Sequence, residues 1–351
     1  MKSEKLKFKI QNYKDIRKKL PGIQKNISLA KHTTFKIGGP AKYFFEAKTK
    51  KDLIKAILVA KKYKLPFFIL GGGSNLLVAD EGYKGLVINF QFAHCSHTAI
   101  FNFQNSKVVV GGGLPLGKLL NISVKKKLTG FEWAVGIPGT IGGAIFGNAG
   151  AFGKSMKNII KEVEVYDVKD EKIKILKNKD CKFTYRDSIF KHKKNLIILS
   201  AILQLKKGNK KEIGNRIKKN LEKRKKIQPL KYPSAGSIFK NQKLAPYRPA
   251  LSEKGGAGAG SKIKNKKLLK EFPELKKFNK KGIIPAGYLI EKCNLKGKRI
   301  GNVQISEKHG NFIVNLGKGK ATDVIKLINL IKSEVKNKFK ISLKEEIEYL
   351  F

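Results

Sequence analysis

The sequence predicts an α+β fold with more than one domain, and three observations support this prediction. The chain has 351 residues, a length typical of two or three domains. Hydrophobic residues make up 41% of it, which supplies buried cores and rules out a disordered chain. Short strand-like runs alternate with stretches of helical periodicity, and no fixed period recurs, so the chain is not a repeat protein.

The elements follow one another in a mixed order. The first 26 residues are rich in lysine and predict one amphipathic helix, after which the chain starts as β-β-α-β with its helix at Lys50–Lys64. Further helices are predicted at Leu116–Leu128, Lys211–Lys226, Gly287–Cys293 and Thr322–Lys338. Strands are predicted at 35–37, 41–47, 67–70, 86–90, 107–110, 162–168, 173–176, 196–205, 312–315 and around Ile347.

The tract Gln242–Gly282 stands apart because it is rich in Lys, Gly and Ala. A structureless loop of this size is unusual inside a compact domain, so we read it as a surface insertion. A lid, a partner site and a tolerated loop are the three alternatives, and the low entropic cost of long surface loops favours the last.

The chain is strongly basic, with 76 Lys and Arg against 26 Asp and Glu, for a formal net charge of +50. Only six of the basic residues are arginine, whereas dedicated nucleic-acid sites favour arginine and interleave aromatic residues. We therefore expect solvated surface lysines, weak salt-sensitive binding of polyanions and no specific nucleic-acid partner. The same field would steer an anionic substrate towards the protein.

The cysteines and the N-terminus exclude other classes of protein. Cys95, Cys181 and Cys293 lie far apart without the spacing of metal ligands, so we expect neither a metal site nor a disulfide framework. The N-terminus lacks the apolar core of a signal peptide, and no apolar run is long enough to cross a membrane. We expect a cytoplasmic monomer without membrane insertion.

Three glycine-rich segments carry the chemical signal. Gly71–Asn75 and Gly111–Gly113 each follow a predicted strand, and Gly136–Gly153 contains seven glycines in eighteen residues, for which we expect neither an ordinary helix nor a strand. Such loops form tight turns or direct backbone N–H groups at an anion. No Gly-Lys-Ser/Thr follows, which excludes a Walker A loop. Together the three segments favour a large cofactor that carries phosphate.

The motifs then resemble known proteins. Gly-Gly-Gly-Ser-Asn-Leu-Leu (71–77), Gly-Ile-Pro-Gly-Thr-Ile-Gly-Gly-Ala (136–144) and Gly-Asn-Ala-Gly-Ala-Phe-Gly (147–153) resemble the FAD-binding domain of the vanillyl-alcohol-oxidase type. The same segments resemble the UDP-N-acetylenolpyruvoylglucosamine reductase family when they are read with His32-Thr-Thr-Phe, Tyr185-Arg-Asp-Ser, Pro233-Ser-Ala-Gly-Ser-Ile-Phe-Lys-Asn, Ala286-Gly-Tyr-Leu-Ile-Glu and Lys308-His-Gly-Asn-Phe. The resemblance covers roughly residues 27–348 and is similar to the subgroup without a tyrosine-bearing substrate loop.

The resemblance implies a domain organisation and a reaction. An N-terminal extension (1–26) would precede two FAD-binding subdomains (27–92 and 93–207) and a C-terminal α+β substrate domain (208–351). Non-covalent FAD would take hydride from NADPH and reduce UDP-N-acetylglucosamine enolpyruvate to UDP-N-acetylmuramate, a step of peptidoglycan precursor synthesis. The cofactor-binding residues it implies are Gly71, Gly72, Gly73, Ser74, Asn75, Gly136, Ile137, Pro138, Gly139, Thr140, Gly142, Gly143, Asn148 and Gly153.

The same resemblance implies the cation and the proton donor. Arg186 would bind the substrate carboxylate, with a structural ion pair to Asp187 as its alternative role. Ser237 would protonate the carbanion-like carbon, and Ser234 is its competitor because a serine beside glycine often serves a turn.

The catalytic acid and the substrate contacts complete the site that the resemblance implies. Glu346 is the implied acid, and Glu348 and Glu345 remain alternatives. Contacts to the substrate would come from Tyr185, Lys240, Asn241 and His309, the last of which could instead be a buried core histidine. Two other functions compete with this one: another FAD-dependent oxidoreductase acting on a small alcohol or sugar, and a non-enzymatic polyanion-binding protein.

Overall fold

The computed structural model describes residues 13–91, 106–243 and 268–351, which form two compact units. The first unit runs to Lys226 and includes Tyr349–Phe351, and the second is Ile227–Glu348. The predicted boundary at 92–93, Cys95 and positions 244–267 of the predicted insertion lie outside the described residues.

The first unit begins with a four-stranded mixed sheet. Its strands are β1 (Gln24–Ser28), β2 (Pro40–Glu46), β3 (Phe67–Leu70) and β5 (Tyr83–Asn89), in the order β1-β2-β5-β3, and β4 (Leu76–Val78) lies outside it. β1 runs antiparallel to β2, while β5 is parallel to both β2 and β3. The crossover helix α1 (Lys50–Lys62) starts at a capping box in which Thr49 and Asp52 exchange hydrogen bonds.

Two predictions at this end of the chain are wrong. Residues 13–19 are helical, but Gln24–Ser28 forms a strand, so the predicted helix ends before residue 26. The predicted strand at 35–37 is a turn because Lys36 adopts a left-handed conformation with φ of 56° and Gly38 follows with φ of 137°.

The second sheet of this unit is antiparallel, in the order β11-β10-β12-β6. Its strands are β6 (Lys107–Gly111), β10 (Ile160–Asp167), β11 (Lys172–Lys177) and β12 (Leu196–Gln204). Around it lie four short strands, β7 (Leu128–Thr129), β8 (Gly150–Ala151), β9 (Lys154–Ser155) and β13 (Lys206–Lys207), and four helices, α2 (Leu116–Lys125), α3 (Ile141–Phe146), α4 (Ile189–His192) and α5 (Lys210–Ile227).

Helix α1 ties the two sheets together. Lys50 Nζ at its start forms an ion pair with Glu164 of β10 and lies 3.0 Å from Ser200 Oγ of β12. Lys61 Nζ near its end donates to the carbonyl of Val168 at 3.1 Å. Leu199 of β12 is buried in the same core as the apolar face of α1. The first unit therefore holds both sheets in a fixed relation.

The second unit is built on an antiparallel sheet in the order β14-β19-β18-β17. Its strands are β14 (Ser234–Ser237), β17 (Arg299–Ile300), β18 (Val303–Ile305) and β19 (Phe312–Asn315). Helices α6 (Ala286–Lys292) and α7 (Ala321–Phe339) belong to it, together with the pair β15 (Gln242–Lys243) and β16 (Ile283–Ile284); β20 (Glu348–Leu350) ends the chain. Seven apolar residues of α7 are buried, as its helical periodicity predicts.

The described end of the predicted insertion is packed rather than loose. A 3₁₀ helix spans Pro273–Lys281, and Leu275 within it is fully buried. The ring of Phe272 lies 5.0 Å from that of Phe339 at the end of α7. These contacts bury apolar surface, so this part of the tract belongs to the core of the second unit.

Candidate active site

The three glycine-rich segments meet in the first unit. A Cβ atom added to Gly72 would lie 2.6 Å from Cα of Gly139, and one added to Gly71 would lie 2.6 Å from Oγ1 of Thr140. A Cβ on Gly142 would lie 3.1 Å from the carbonyl oxygen of Gly112, to which the Gly142 N–H donates at 2.7 Å. At Gly72 and Gly142 backbone thus packs on backbone, and we call the region formed by residues 71–75, 111–113 and 136–143 the glycine bed.

The glycine bed corrects one prediction from the sequence. The segment 136–153 contains helix α3 although we expected no ordinary helix there. Thr140 caps this helix by accepting the N–H of Gly143 at 3.3 Å, and Gly142 has no side chain because Gly112 lies against it. A tertiary contact therefore explains glycines that would weaken an isolated helix.

The glycine bed also fits a phosphate-bearing cofactor. In the described part of the chain, the N–H groups of Gly72, Gly73 and Ser74 donate to no protein acceptor. Gly73 has a φ of 56°, the left-handed conformation that in anion-binding loops turns successive N–H groups towards one side. Neighbouring N–H groups without protein acceptors in a loop after a strand are suited to diphosphate oxygens. Gly71–Ser74 and Gly139–Gly143 are the residues that would hold such a group.

The side chain of Asn148, a predicted cofactor-binding residue, forms hydrogen bonds to backbone groups of the protein. Its Nδ2 donates to the carbonyl of Thr184 at 2.6 Å, and its Oδ1 accepts the N–H of Lys157 at 3.0 Å. The side chain is buried, so both amide groups are satisfied by backbone. Asn148 therefore fastens the glycine-rich segment to the segment that carries Arg186.

Arg186 is held beside the glycine-rich segment. It adopts a left-handed conformation with φ of 55°, and its Nη2 donates to the carbonyl of Gly150 at 2.7 Å. Its guanidinium carbon lies 5.3 Å from the ring centre of Tyr185. The carboxylate of Asp187 lies 2.9 Å from Nε2 of His192 and accepts the N–H of Ser188. The strained backbone and the fixed guanidinium give Arg186 a defined direction.

A second arginine, which the sequence did not single out, belongs to the same cluster. Arg224 of α5 is buried, its guanidinium carbon lies 5.3 Å from the ring centre of Phe152, and its Cδ lies 3.3 Å from where a Cβ of Gly136 would stand. Burial lowers the pKa of Arg224, and the positive charge of Arg186 lowers it further. Two cations held near each other attract an anion. The sequence gives one hint: arginine is rare in this chain.

Ser237 lies at the end of β14 in the second unit, opposite Phe312 of β19. Gly236 before it has a φ of 77°, and the ladder between the two strands is irregular there. Ser234 accepts the N–H of Gly236 through its hydroxyl at 3.4 Å, which is the turn role expected of a serine beside glycine.

The segment after Ser237 is bound to the C-terminal acidic segment. The N–H of Glu346 donates to the carbonyl of Ile238 at 2.8 Å, and the N–H of Lys240 donates to the carbonyl of Lys344 at 2.8 Å. Glu345 forms an ion pair with Lys332 of α7 at 2.9 Å. The backbone of Glu346 is thus hydrogen-bonded to Ile238, the residue after Ser237, whereas the side chain of Glu345 is paired with a lysine of α7.

The remaining predicted substrate residues have clear local surroundings. Oδ1 of Asn241 accepts the N–H of Ala286, the first residue of α6, at 3.1 Å, which makes it a helix cap. His309 accepts the N–H of Asn311 at its Nδ1 at 3.1 Å, so its neutral ring carries the proton on Nε2. Burial lowers the pKa of His309 although Glu291 opposes the shift.

Two further observations on the described residues concern metal ions and membranes. Within the described ranges, no group of His, Cys, Asp and Glu side chains is arranged to hold a metal ion. None of the helices in those ranges is long and apolar enough to cross a membrane.

Comparisons with known proteins agree with this site. Residues 41–177 match a family described as an FAD binding domain. Residues 228–350 match the family described as UDP-N-acetylenolpyruvoylglucosamine reductase, C-terminal domain. The glycine bed and the first match together define an FAD-binding protein.

Relatives narrow the class to one family. The chain is 38% identical to the UDP-N-acetylenolpyruvoylglucosamine reductase of Anoxybacillus flavithermus and 37% identical to that of Bacillus subtilis. Each of the two alignments covers 93% of this chain and 93% of the relative. The crystal structure of the Thermus caldophilus enzyme has a TM-score of 0.70 and 29% identity and covers 94% of this chain and 99% of its own. The chain belongs to the UDP-N-acetylenolpyruvoylglucosamine reductase family, so the predicted fold class, the FAD cofactor and the oxidoreductase activity are confirmed.

Proposed function

We propose that this chain reduces UDP-N-acetylglucosamine enolpyruvate to UDP-N-acetylmuramate with NADPH as the hydride donor. Family membership supports the substrate class, since the relatives are named for this reduction. The observation that carries the proposal is the backbone pairing of Ile238–Lys240 with Lys344–Glu346, which places the residue after Ser237 beside Glu346 within one unit. The setting would be the cytoplasmic synthesis of peptidoglycan precursors, carried out by a monomer.

The cofactor is FAD, which supplies hydride to the double bond of the enol ether when it is bound. Gly72, Gly73 and Ser74 would bind its diphosphate through their N–H groups, and Gly139 would keep the backbone close. The loops of the glycine bed pack closely, since a Cβ of Gly71 would lie 2.6 Å from Oγ1 of Thr140 and a Cβ of Gly139 would lie 2.9 Å from Oγ of Ser74.

Arg186 has the task of binding the carboxylate of the enolpyruvyl group. A guanidinium matches a carboxylate with two parallel hydrogen bonds, and the hydrogen bond to Gly150 holds its plane in place. The buried charge of Arg224 adds to the positive potential there. This potential would stabilise the negative charge that develops beside the carboxylate when hydride adds to the neighbouring carbon.

Ser237 would then donate the proton that completes the reduction. Hydride adds to the terminal carbon of the double bond, and the carbon that bears the ether oxygen becomes carbanion-like. A serine hydroxyl is a weak acid, but such a carbon is a strong base, so a hydroxyl at the right place suffices. Glu346, in the segment bonded to Ile238–Lys240, is the acid that would assist it, while Lys240, Tyr185, Asn241 and His309 would contact the diphosphate and sugar.

The absorption spectrum of the anaerobic protein tests the whole proposal. NADPH should bleach the flavin band, and UDP-N-acetylglucosamine enolpyruvate should restore it, with NADH as a parallel donor. A band that bleaches and does not return would leave the FAD domain in place but rule out this substrate. A protein that binds no FAD after reconstitution would contradict the assignment of the glycine bed.

A further inference from the structure

One buried side chain, that of Asn311, forms hydrogen bonds to the segment that follows Ser237. This residue precedes β19 and is 3% exposed. Its Oδ1 accepts the N–H of Phe239 at 2.9 Å, and its Nδ2 donates to the carbonyl of the same residue at 2.8 Å. Its own carbonyl accepts the N–H of Ile238 at 2.9 Å. One residue therefore fixes three consecutive peptide groups, those between Ser237 and Lys240.

These hydrogen bonds lie where the regular pairing of β14 with β19 ends. Strands β14 and β19 pair only at Ser234 with Val314 and at Ser237 with Phe312, with an irregularity between the two pairs. Beyond Ser237, the amide of Asn311 takes the place of the next ladder partner, since an amide offers a donor and an acceptor in one plane as a peptide group does.

The other edge of the same segment is bonded to the C-terminal acidic segment, Lys344–Glu346. Ile238 accepts the N–H of Glu346, and Lys240 donates to Lys344. The chain from Ile238 to Lys240 is thus held on both edges, by Asn311 on one and by residues 344–346 on the other. Ser237 directly precedes this clamped segment, and its carbonyl belongs to the same peptide group as the bonded N–H of Ile238.

We infer that Asn311 is a positioning residue that fixes the place of the Ser237 hydroxyl for proton donation. The inference rests on the proposed function, in which Ser237 is the proton donor. A displacement of about 1 Å of a reacting group can cost about 100-fold in rate, so loss of the clamp should slow the step that needs Ser237. The reduction of the flavin by NADPH does not use Ser237 and should be unaffected.

Asn315 provides a matched control on the same strand. It is also buried, at 2% exposure, and its Oδ1 accepts the N–H groups of Gly317 and Gly319 at 2.9 and 3.0 Å. Asn315→Leu removes the same buried amide from a turn at the other end of β19. It should lower Tm in the way that Asn311→Leu does without moving Ser237.

The experiment measures the two half-reactions of the FAD-loaded protein separately by stopped-flow absorption. In Asn311→Leu, reduction by NADPH should stay within about twofold, while reoxidation by UDP-N-acetylglucosamine enolpyruvate should slow by about 100-fold. In Asn315→Leu both rates should stay within about twofold. Asn311→Ser, which leaves room for a water beside Phe239, should show the same split and serves if the leucine variant does not fold.

A double-mutant cycle separates positioning from a general structural effect. If Asn311 acts through Ser237, adding Asn311→Leu to Ser237→Ala should cause no further loss of the reoxidation rate. Losses that multiply, or reoxidation in Asn311→Leu as fast as in Asn315→Leu, would overturn the inference while leaving the proposed function intact. Reoxidation of Ser237→Ala at the wild-type rate would instead refute the proton-donor assignment, and the inference with it.

Discussion

The close contact between Gly72 and Gly139 makes Gly72→Ala a direct test of the glycine bed. A Cβ at position 72 would lie 2.6 Å from Cα of Gly139, whereas carbon atoms in ordinary contact stand about 3.5–4 Å apart. The two loops would have to separate by about 1 Å. Both contacting groups belong to the backbone, so no side chain can turn away, and we place the cost at the upper end of the usual overpacking range, about 3 kcal/mol.

This cost should weaken the binding of FAD, because the added Cβ would push apart the two loops that would hold the cofactor. About 3 kcal/mol corresponds to roughly a 100-fold increase in the Kd for FAD. The assay is a titration of the apoprotein with FAD, followed by the quenching of flavin fluorescence. Gly117→Ala is the matched control because a Cβ at that position in α2 would meet nothing within 4 Å. An unchanged Kd in Gly72→Ala would refute the view that close packing shapes the cofactor site.

Three further predictions concern single side chains of the first unit. Arg186→Lys keeps the charge but loses the planar contact to Gly150, so reoxidation of the flavin by substrate should slow at least tenfold; wild-type rates would support a merely structural role. Burial acts to raise the pKa of Glu132, but hydrogen bonds from Thr129 and Gly130 and the charge of Arg216 outweigh it and lower the pKa. The charged Glu132 therefore stabilises the fold above the usual carboxyl pKa, and this contribution is lost as the pH falls through its lowered pKa. In urea denaturation at a series of pH values, Glu132→Gln should make the free energy of unfolding fall less steeply at acid pH. The same steepness in the variant and the wild type would contradict this. Burial, with a smaller effect of Asp180, raises the pKa of the Cys181 thiol to about 12, so thiol reagents should label it at pH 8 only after unfolding, and labelling of the native protein would contradict its burial.

Periodic elements were predictable from the sequence because local patterns determine them. The last long helix was predicted at 322–338 and spans Ala321–Phe339, and the strand at Phe312–Asn315 was predicted with its observed bounds. The apolar repeat of a helix and the run of a buried strand depend on few other segments. The strand predicted at 35–37 is wrong because the residue types Phe-Lys-Ile favour a strand and do not indicate the left-handed conformation of Lys36.

Features that depend on distant contacts were not predictable. Helix α3 lies in a segment whose composition argues against a helix, and its glycines are explained only once Gly112 is known to lie against Gly142. Arg224 is 38 residues from Arg186 in sequence, and only the fold makes them electrostatic neighbours. Motif resemblance identified the family and the catalytic candidates, but the clamp of Asn311 on Phe239 is visible only in three dimensions.

The arginines show how a lysine-rich chain retains geometry where geometry is needed. Arg186 donates to Gly150, Arg216 bridges Glu132 and Thr129, Arg224 stacks on Phe152, and Arg299 bonds Gly301 and Asn302. Each of these contacts uses the plane or the fork of a guanidinium, which an ammonium lacks. The surface charge can be carried by lysine because solvated charge requires no direction. The four arginines therefore mark positions where direction matters, and two of them, Arg186 and Arg224, lie beside the same glycine-rich segment, at Gly150 and Phe152.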